Sequence, residues 1–304
     1  MAASDAVRDV IGELAYGLRA TANPDGGWGY MPGRRSRIEP TSWALAALGA
    51  ASAPGDGWSP MPHLQFLRRA QTPAGLLADR AGGPPNYAFS ALAAIAVDGT
   101  FPAPADPWFR RLVEGIVGGR GVALAPGDAR DGQQNALQAW PWIDGCFSWV
   151  EPTAWCLLLL KRMRAQRRDA RGPARIDEAE RLLFDRCCAD GGWNYGNASV
   201  LGQSLDPFVP TTAMALLALQ DRQEHPLVRK SLSWLEANAE RERSGMALAL
   251  GLICAARFGR PSGTLEAALL DQFARWRFLD QQHVQAMALY GLAAGRTGAE
   301  VFRV

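Results

Sequence analysis

Two glutamates stand at matching places in the chain: Glu39 in the run IEPTSWAL and Glu151 in the run VEPTAWCL. A carboxylic acid kept in mostly apolar surroundings holds its proton near neutral pH and can serve as a general acid. A helix N-terminus pulls the other way, because its positive dipole end favours the carboxylate. Burial decides between them. The same Glu-Pro-Thr also reads as ordinary helix-start chemistry, in which an acidic residue matches the dipole and nothing reacts. Superposing the apolar runs on a late leucine brings Glu39 and Glu151 into register with Gly83, Val209, Arg243 and His283, and Asn86, Asp206 and Gln285 fall close to that ring. His283 joins the catalytic candidates through this register alone. The two glutamates can equally pair with Arg243 and His283 across the ring.

Aromatic residues crowd the same positions. Trp43, Tyr87, Phe89 and Trp155 begin apolar runs, while Trp140, Trp142, Phe147 and Trp149 lie in a long connection. Their π faces attract cations, they bind hydrocarbon chains without reacting, and they also fill cores. Arg34, Arg35 and Arg37, with Arg241 and Arg243 further on, offer planar donor forks suited to a phosphate group, or form a solvated surface. His63 and His225 carry no visible motif. The five cysteines form no CxxC pair, which argues against zinc, and Cys156 and Cys254 sit inside apolar runs as small hydrophobes. No metal or cofactor is expected.

The elements that must hold these residues follow a repeated plan. The segment DGGWGYMPGRRSRIEPTSWALAALGA, from Asp25 to Ala50, returns at Asp190 as DGGWNYGNASVLGQSLDPFVPTTAMALLALQ, and its second half returns at Asp144 as DGCFSWVEPTAWCLLLL. Amphipathic stretches alternate with almost wholly apolar ones. The amphipathic set begins with Asp5 to Ala20, Pro62 to Gln71 and the stripe Phe109, Leu112, Val113 and Ile116. It continues with Arg175 to Cys188, the stripe Val228, Leu232 and Leu235, and the stripe from Leu265 to Trp276. The apolar set is Thr41–Ala50, Asn86–Val97, Thr153–Leu160, Thr211–Gln220, Met246–Ala256 and Val284–Ala294. Six apolar helices need covering and six one-faced helices can cover them. The expected fold is all-α: an α6/α6 toroid of six helical hairpins, its apolar ring inside an amphipathic ring, as a single domain over residues 1–304. Trp28 and Trp193, in the turns, are expected to brace the outer rim. The connection 118–150 is long enough to be functional.

Composition excludes some partners. The chain has 304 residues, 48% of them apolar, and a net charge of +2, too small to argue for nucleic acid. No apolar run is long enough to cross a bilayer, and the N-terminal residues lack a signal-peptide pattern. A cytoplasmic location is expected; a peripheral membrane contact and a protein partner stay open.

DGGWGY and DGGWNY resemble the QW-type repeats of squalene-hopene cyclases and the related repeats of protein prenyltransferase β subunits. EPTSWALAAL and EPTAWCLLLL are similar to the helix that follows the turn in both families. The resemblance implies an isoprenoid-handling protein in which a polyprenyl or similar lipid chain occupies an aromatic-lined cavity. Set on the threonine, the proton donor of the cyclases' DxDD motif falls on Glu39 and on Glu151. The chain departs from both families, however. It has no DxDD, no Cys or His at the prenyltransferase zinc positions, and no second toroid. Three functions follow: a cyclase-type enzyme with Glu39 or Glu151 as acid; a zinc-free prenyltransferase-like enzyme holding a diphosphate with the arginines; and a non-catalytic toroid that binds a lipid or a protein.

Overall fold

The computed structural model describes residues 2–53, 55–101, 106–124, 133–165 and 172–304. Part of the expected functional connection, 125–132, therefore lies outside the described residues. Among the described residues there are twelve α-helices and one two-stranded hairpin. The helices are α1 (Ala2–Ala20), α2 (Ile38–Ala51), α3 (Met61–Arg69), α4 (Tyr87–Thr100), α5 (Pro107–Gly118) and α6 (Val150–Ala165). They continue as α7 (Pro173–Asp185), α8 (Val209–Ala218), α9 (Pro226–Ala239), α10 (Gly245–Arg257), α11 (Gly263–Trp276) and α12 (Gln282–Thr297). The hairpin pairs β1 (Ser199–Val200) with β2 (Gln203–Ser204) between α7 and α8. No helix is long and apolar enough to cross a membrane.

The even-numbered helices are the apolar ones, and they pack in sequence: α2 on α4, α4 on α6, α6 on α8, α8 on α10, α10 on α12, and α12 back on α2. Nearly every residue of α2 and α6 is buried. The odd-numbered helices each bury one stripe, as Phe109, Leu112, Val113 and Ile116 do in α5. α5 packs on α4, α7 on α6, α9 on α8 and α10, and α11 on α10, while α1 lies against α12 and α2. Burial of these stripes, rather than helix propensity, holds the arrangement together.

α2 and α6 begin earlier than expected, at Ile38 and Val150. Proline fits anywhere in a first turn, because those N–H groups have no intrahelical partner. Glu39 and Glu151 are therefore each the second residue of a helix. In α2 the open N-terminus is closed from outside: the Ile38 N–H donates to Asp79 Oδ1 at 2.8 Å.

The Pro-Thr signature has a structural role. The Trp28 N–H donates to Thr41 Oγ1 at 2.9 Å, Trp140 N–H to Thr153 Oγ1 at 3.3 Å, and Trp193 N–H to Thr212 Oγ1 at 2.9 Å. Each hydroxyl belongs to the fourth residue of its helix. The three indoles reach back to the preceding odd-numbered helix: Trp28 Nε1 donates to the Leu18 carbonyl, Trp140 Nε1 to Ile116 and Trp193 Nε1 to Leu183, at 2.8, 2.6 and 2.6 Å. Each tryptophan thus ties one helix end to the next helix start, and all three are fully buried, so Trp28 and Trp193 act as packing braces. A fourth copy lacks the indole, with Leu77 N–H donating to Ser90 Oγ at 2.9 Å. His63 lies in α3, buried, with Nδ1 2.7 Å from the Gly26 carbonyl and its ring on Trp28. Gly26 is required here: it has φ +87°, and a Cβ would meet the Pro62 carbonyl oxygen at 2.3 Å.

At the C-terminal ends of the apolar helices the tail turns inward. Phe302 is wholly buried against Trp43, Trp155 and Tyr290, with centroid separations of 5.0, 5.7 and 4.9 Å. Arg162 donates to the carbonyls of Glu300 and Arg303, both at 2.7 Å, and pairs with Asp98 at 2.9 Å. Gln220 Nε2 donates to the Phe302 carbonyl at 2.9 Å.

Candidate functional site

The opposite end, where the apolar helices begin, is open. A cavity of about 380 Å³ lies there, with Glu39 and Glu151 in its wall. Phe89, Trp142, Tyr195, Phe208, Met214 and Met246 line it as well. Counting from the helix starts explains the convergence. The second residues of α2, α6, α8 and α10 are Glu39, Glu151, Pro210 and Met246, and all four line the cavity. The second residue of α12 is His283.

Both acids keep only partial contact with solvent. Burial pushes Glu39 up to about 7, helped by the charge of Asp79 and opposed by a hydrogen bond from Tyr30. The Tyr30 hydroxyl donates to Glu39 Oε2 at 2.6 Å. Burial pushes Glu151 up to about 8, reinforced by the charge of Glu39 and opposed by a hydrogen bond from the Trp155 side chain. At both positions desolvation is the largest cause. The charge of Glu39 thus bears on Glu151, and both carboxyls lie above the ordinary carboxylate range. The wall also contains a third carboxyl, Glu242.

His283 lies on the other side of Tyr30, its ring edge against the tyrosine at 5.0 Å. Burial lowers it to about 4, so the imidazole is neutral, and its Nδ1 is buried without a partner. His283 and Arg243 line a second cavity of about 650 Å³, which shares Ser244 and Met246 with the first. A third cavity, of about 580 Å³, contains Trp149 and Asp206 and shares Tyr195 and Phe208 with the first.

The other sequence candidates divide clearly. Phe89 and Trp142 meet edge to face at 5.9 Å in the cavity wall. Tyr87 is buried, with its hydroxyl donating to Asp144 Oδ1 at 2.7 Å. Trp43 and Trp155 are buried and meet at 5.8 Å, in the cluster around Phe302. Arg34 and Arg35 are exposed and Arg37 half-buried, and none of the three lines the glutamate cavity. Arg35 donates to the Asp79 carbonyl, and Arg37 pairs with the Asp79 carboxylate at 3.4 Å. Among the described residues no three His, Cys, Asp or Glu side chains gather as a metal site. All five cysteines are free.

Sequence reasoning missed Tyr30, Tyr195, Phe208, Met214, Met246 and Glu242. Tyr30 and Tyr195 follow the two DGGW turns at the same spacing, two residues after the tryptophan, which is a signal the repeat carried. Glu242 sits in a loop with no motif around it.

No family model and no curated protein matches the chain by sequence. Solved structures do match it. The type II terpene cyclase MstE from Scytonema superposes with a TM-score of 0.63 at 13% identity, over 96% of this chain and 99% of that one. A variant of that enzyme in complex with geranylgeranyl dihydroxybenzoate gives 0.62 at 11% identity, over 96% and 97%. A β-1,3-1,4-glucanase from Paenibacillus gives 0.56 at 10% identity, over 95% and 93%. At such identities the likeness is one of fold, and the chain carries a terpenoid-cyclase-like fold.

Proposed function

We propose that the chain is a single α6/α6 toroid that handles isoprenoids in the manner of a terpene cyclase, with a polyprenyl or similar lipid chain in the glutamate cavity. The cyclic packing of the six apolar helices supports the toroid. The observation that carries the functional reading is the convergence of two carboxyls, both raised by burial, in one cavity wall with aromatic and methionine side chains.

Glu151 is the proposed acid. Its O–H bond breaks as a C–H bond forms at one alkene carbon, leaving a carbocation on the other. The π electrons of further alkenes close rings onto that cation, and the faces of Phe89, Trp142, Tyr195 and Phe208 stabilise the charge. Loss of a proton to a carboxylate, Glu39 or Glu242, ends the sequence and conserves the substrate's atoms. Glu151 then regains a proton from solvent, and the carboxylate that accepted the substrate's proton releases it to solvent. Burial favours the protonated form of the donor, and a hydrocarbon chain filling the cavity would displace water from the cation. No cofactor is needed for these steps.

The alternatives have less support. Of the arginines a diphosphate would need, Arg35 and Arg37 are engaged at Asp79 outside the cavity. Sugar hydrolysis by the two carboxyls, raised by the glucanase likeness, would leave saccharide hydroxyls facing Phe89, Trp142, Phe208, Met214 and Met246 without partners. Lipid retention and turnover separate the readings. The purified protein and its Glu39→Gln and Glu151→Gln variants are analysed by native mass spectrometry with polyprenyl substrates. Retention by all three and turnover lost in Glu151→Gln are expected. Failure of any of them to hold an isoprenoid would overturn the proposal in favour of a partner-binding toroid.

A further inference from the structure

The third cavity is a concave surface of exposed aromatic and aliphatic side chains. Tyr195 is 58% exposed, Phe147 50%, Phe208 45%, and Trp149 and Leu205 38% each. All five line that cavity. Large apolar side chains gathered on one concave surface mark a place that something apolar covers. The polar groups in the wall are largely occupied within the protein. Arg186 is spent on Asp185 and Asn135, and Asn194 on the Asn197 carbonyl and the Gly196 N–H. Asp206 is exposed in the wall and the Ser148 hydroxyl lacks a partner, but most of the exposed side-chain surface is hydrocarbon and ring face.

Position narrows the occupant. Tyr195 and Phe208, their rings 5.2 Å apart, belong to this cavity and to the glutamate cavity alike. The two spaces lie side by side across those rings, and the glutamate cavity is the smaller of the two. We propose that the third cavity is a second hydrocarbon subsite, which receives the part of a long isoprenoid chain that the glutamate cavity cannot hold. The inference rests on the isoprenoid reading above and adds a substrate class to it: chains that span both spaces, with the reacting alkene beside Glu151 and the remainder against Trp149, Phe147 and Leu205. Tyr195 and Phe208 form the passage between them.

Binding without turnover tests this directly. Polyprenyl alcohols of increasing length are titrated into the Glu151→Gln variant by native mass spectrometry. Three further proteins carry Phe147→Asp, Leu205→Asp or, as a control, Met61→Asp in the same background. Met61 is equally exposed on α3, away from the cavities, at 41%. Affinity should rise at least about tenfold for each isoprene unit that enters the half-open second subsite. Phe147→Asp and Leu205→Asp should erase that gain for long chains while leaving the shortest chain and the control unchanged. Equal losses at every length, or no loss at any, would overturn the subsite. So would a defect confined to binding of neutral phosphatidylcholine vesicles, since the patch would then be a membrane contact. Failure of every chain, short ones included, would instead remove the isoprenoid reading itself.

Discussion

Tyr30 stands between two titratable groups, giving its hydroxyl hydrogen to Glu39 Oε2 at 2.6 Å and meeting the edge of the His283 ring at 5.0 Å. The bond favours the carboxylate of Glu39 and so lowers it. Glu151 has the charge of Glu39 raising it further. The pair is thereby ordered, with Glu151 the better proton holder. Neutral His283 adds no positive charge that would reverse the order.

Tyr30→Phe should raise the Glu39 midpoint above about 7, because the hydrogen bond that holds it down is gone. Carbon-13 NMR of labelled glutamate carboxyls, titrated against pH, reads this shift. An unchanged or lowered midpoint would show that the bond does not control Glu39.

The raised acids also set how stability depends on pH. Their folded pKa values, about 7 and about 8, lie above the ordinary 4.5. Between those limits these two groups bind more protons folded than unfolded, so their contribution to stability falls as pH rises. Each unit of separation corresponds to about 1.4 kcal/mol, lessened here by partial solvent contact. Glu39→Gln and Glu151→Gln should therefore raise Tm at about pH 8 by a few degrees and change it little near pH 4. Calorimetry of wild type and variants across that range is the check, since buried His283 acts on the wild-type curve with the opposite sign; a Tm difference between variant and wild type that does not grow with pH contradicts it.

The turn tryptophans make a structural prediction. Thr41→Val and Thr153→Val keep the side-chain shape but leave the buried N–H of Trp28 or Trp140 without an acceptor. Each should cost about 1–3 kcal/mol. Denaturant unfolding measures it, and a loss below about 0.5 kcal/mol would mean that the hydroxyl is not the clasp.

At the closed end, Phe302→Ala removes a ring in contact with Trp43, Trp155 and Tyr290. The expected cost is about 3–5 kcal/mol. A near-neutral result would show that the tail is dispensable packing.

The helices were legible because their signals are periodic. Apolar runs such as Thr153–Leu160 and stripes such as Phe109 to Ile116 need no tertiary information to read. Pairing of turn and helix start was partly legible. DGGW announced Trp28 and Trp193, whereas Trp140 lies in AWPW and Leu77 carries no indole, so only the shared backbone bond to a hydroxyl on the fourth helical residue reveals all four copies. The acids were found because Glu-Pro-Thr recurs. The ring drawn through Gly83 and Arg243 misses α4 and α10, which start later, at Tyr87 and Gly245, behind the caps Asn86 and Ser244. Phe302 and Glu242 were invisible, since a lone aromatic in a tail and a lone acid in a loop have no pattern to show where the fold takes them.

The central claim is that Glu151 delivers a proton to an alkene. The most direct measurement incubates polyprenyl substrates with the protein in D2O and weighs the product. The account predicts a cyclised product that has gained a deuterium in exchange for a hydrogen, formed by wild type and absent with Glu151→Gln. A deuterated product formed equally by Glu151→Gln, or a product without deuterium from the wild type, would contradict it.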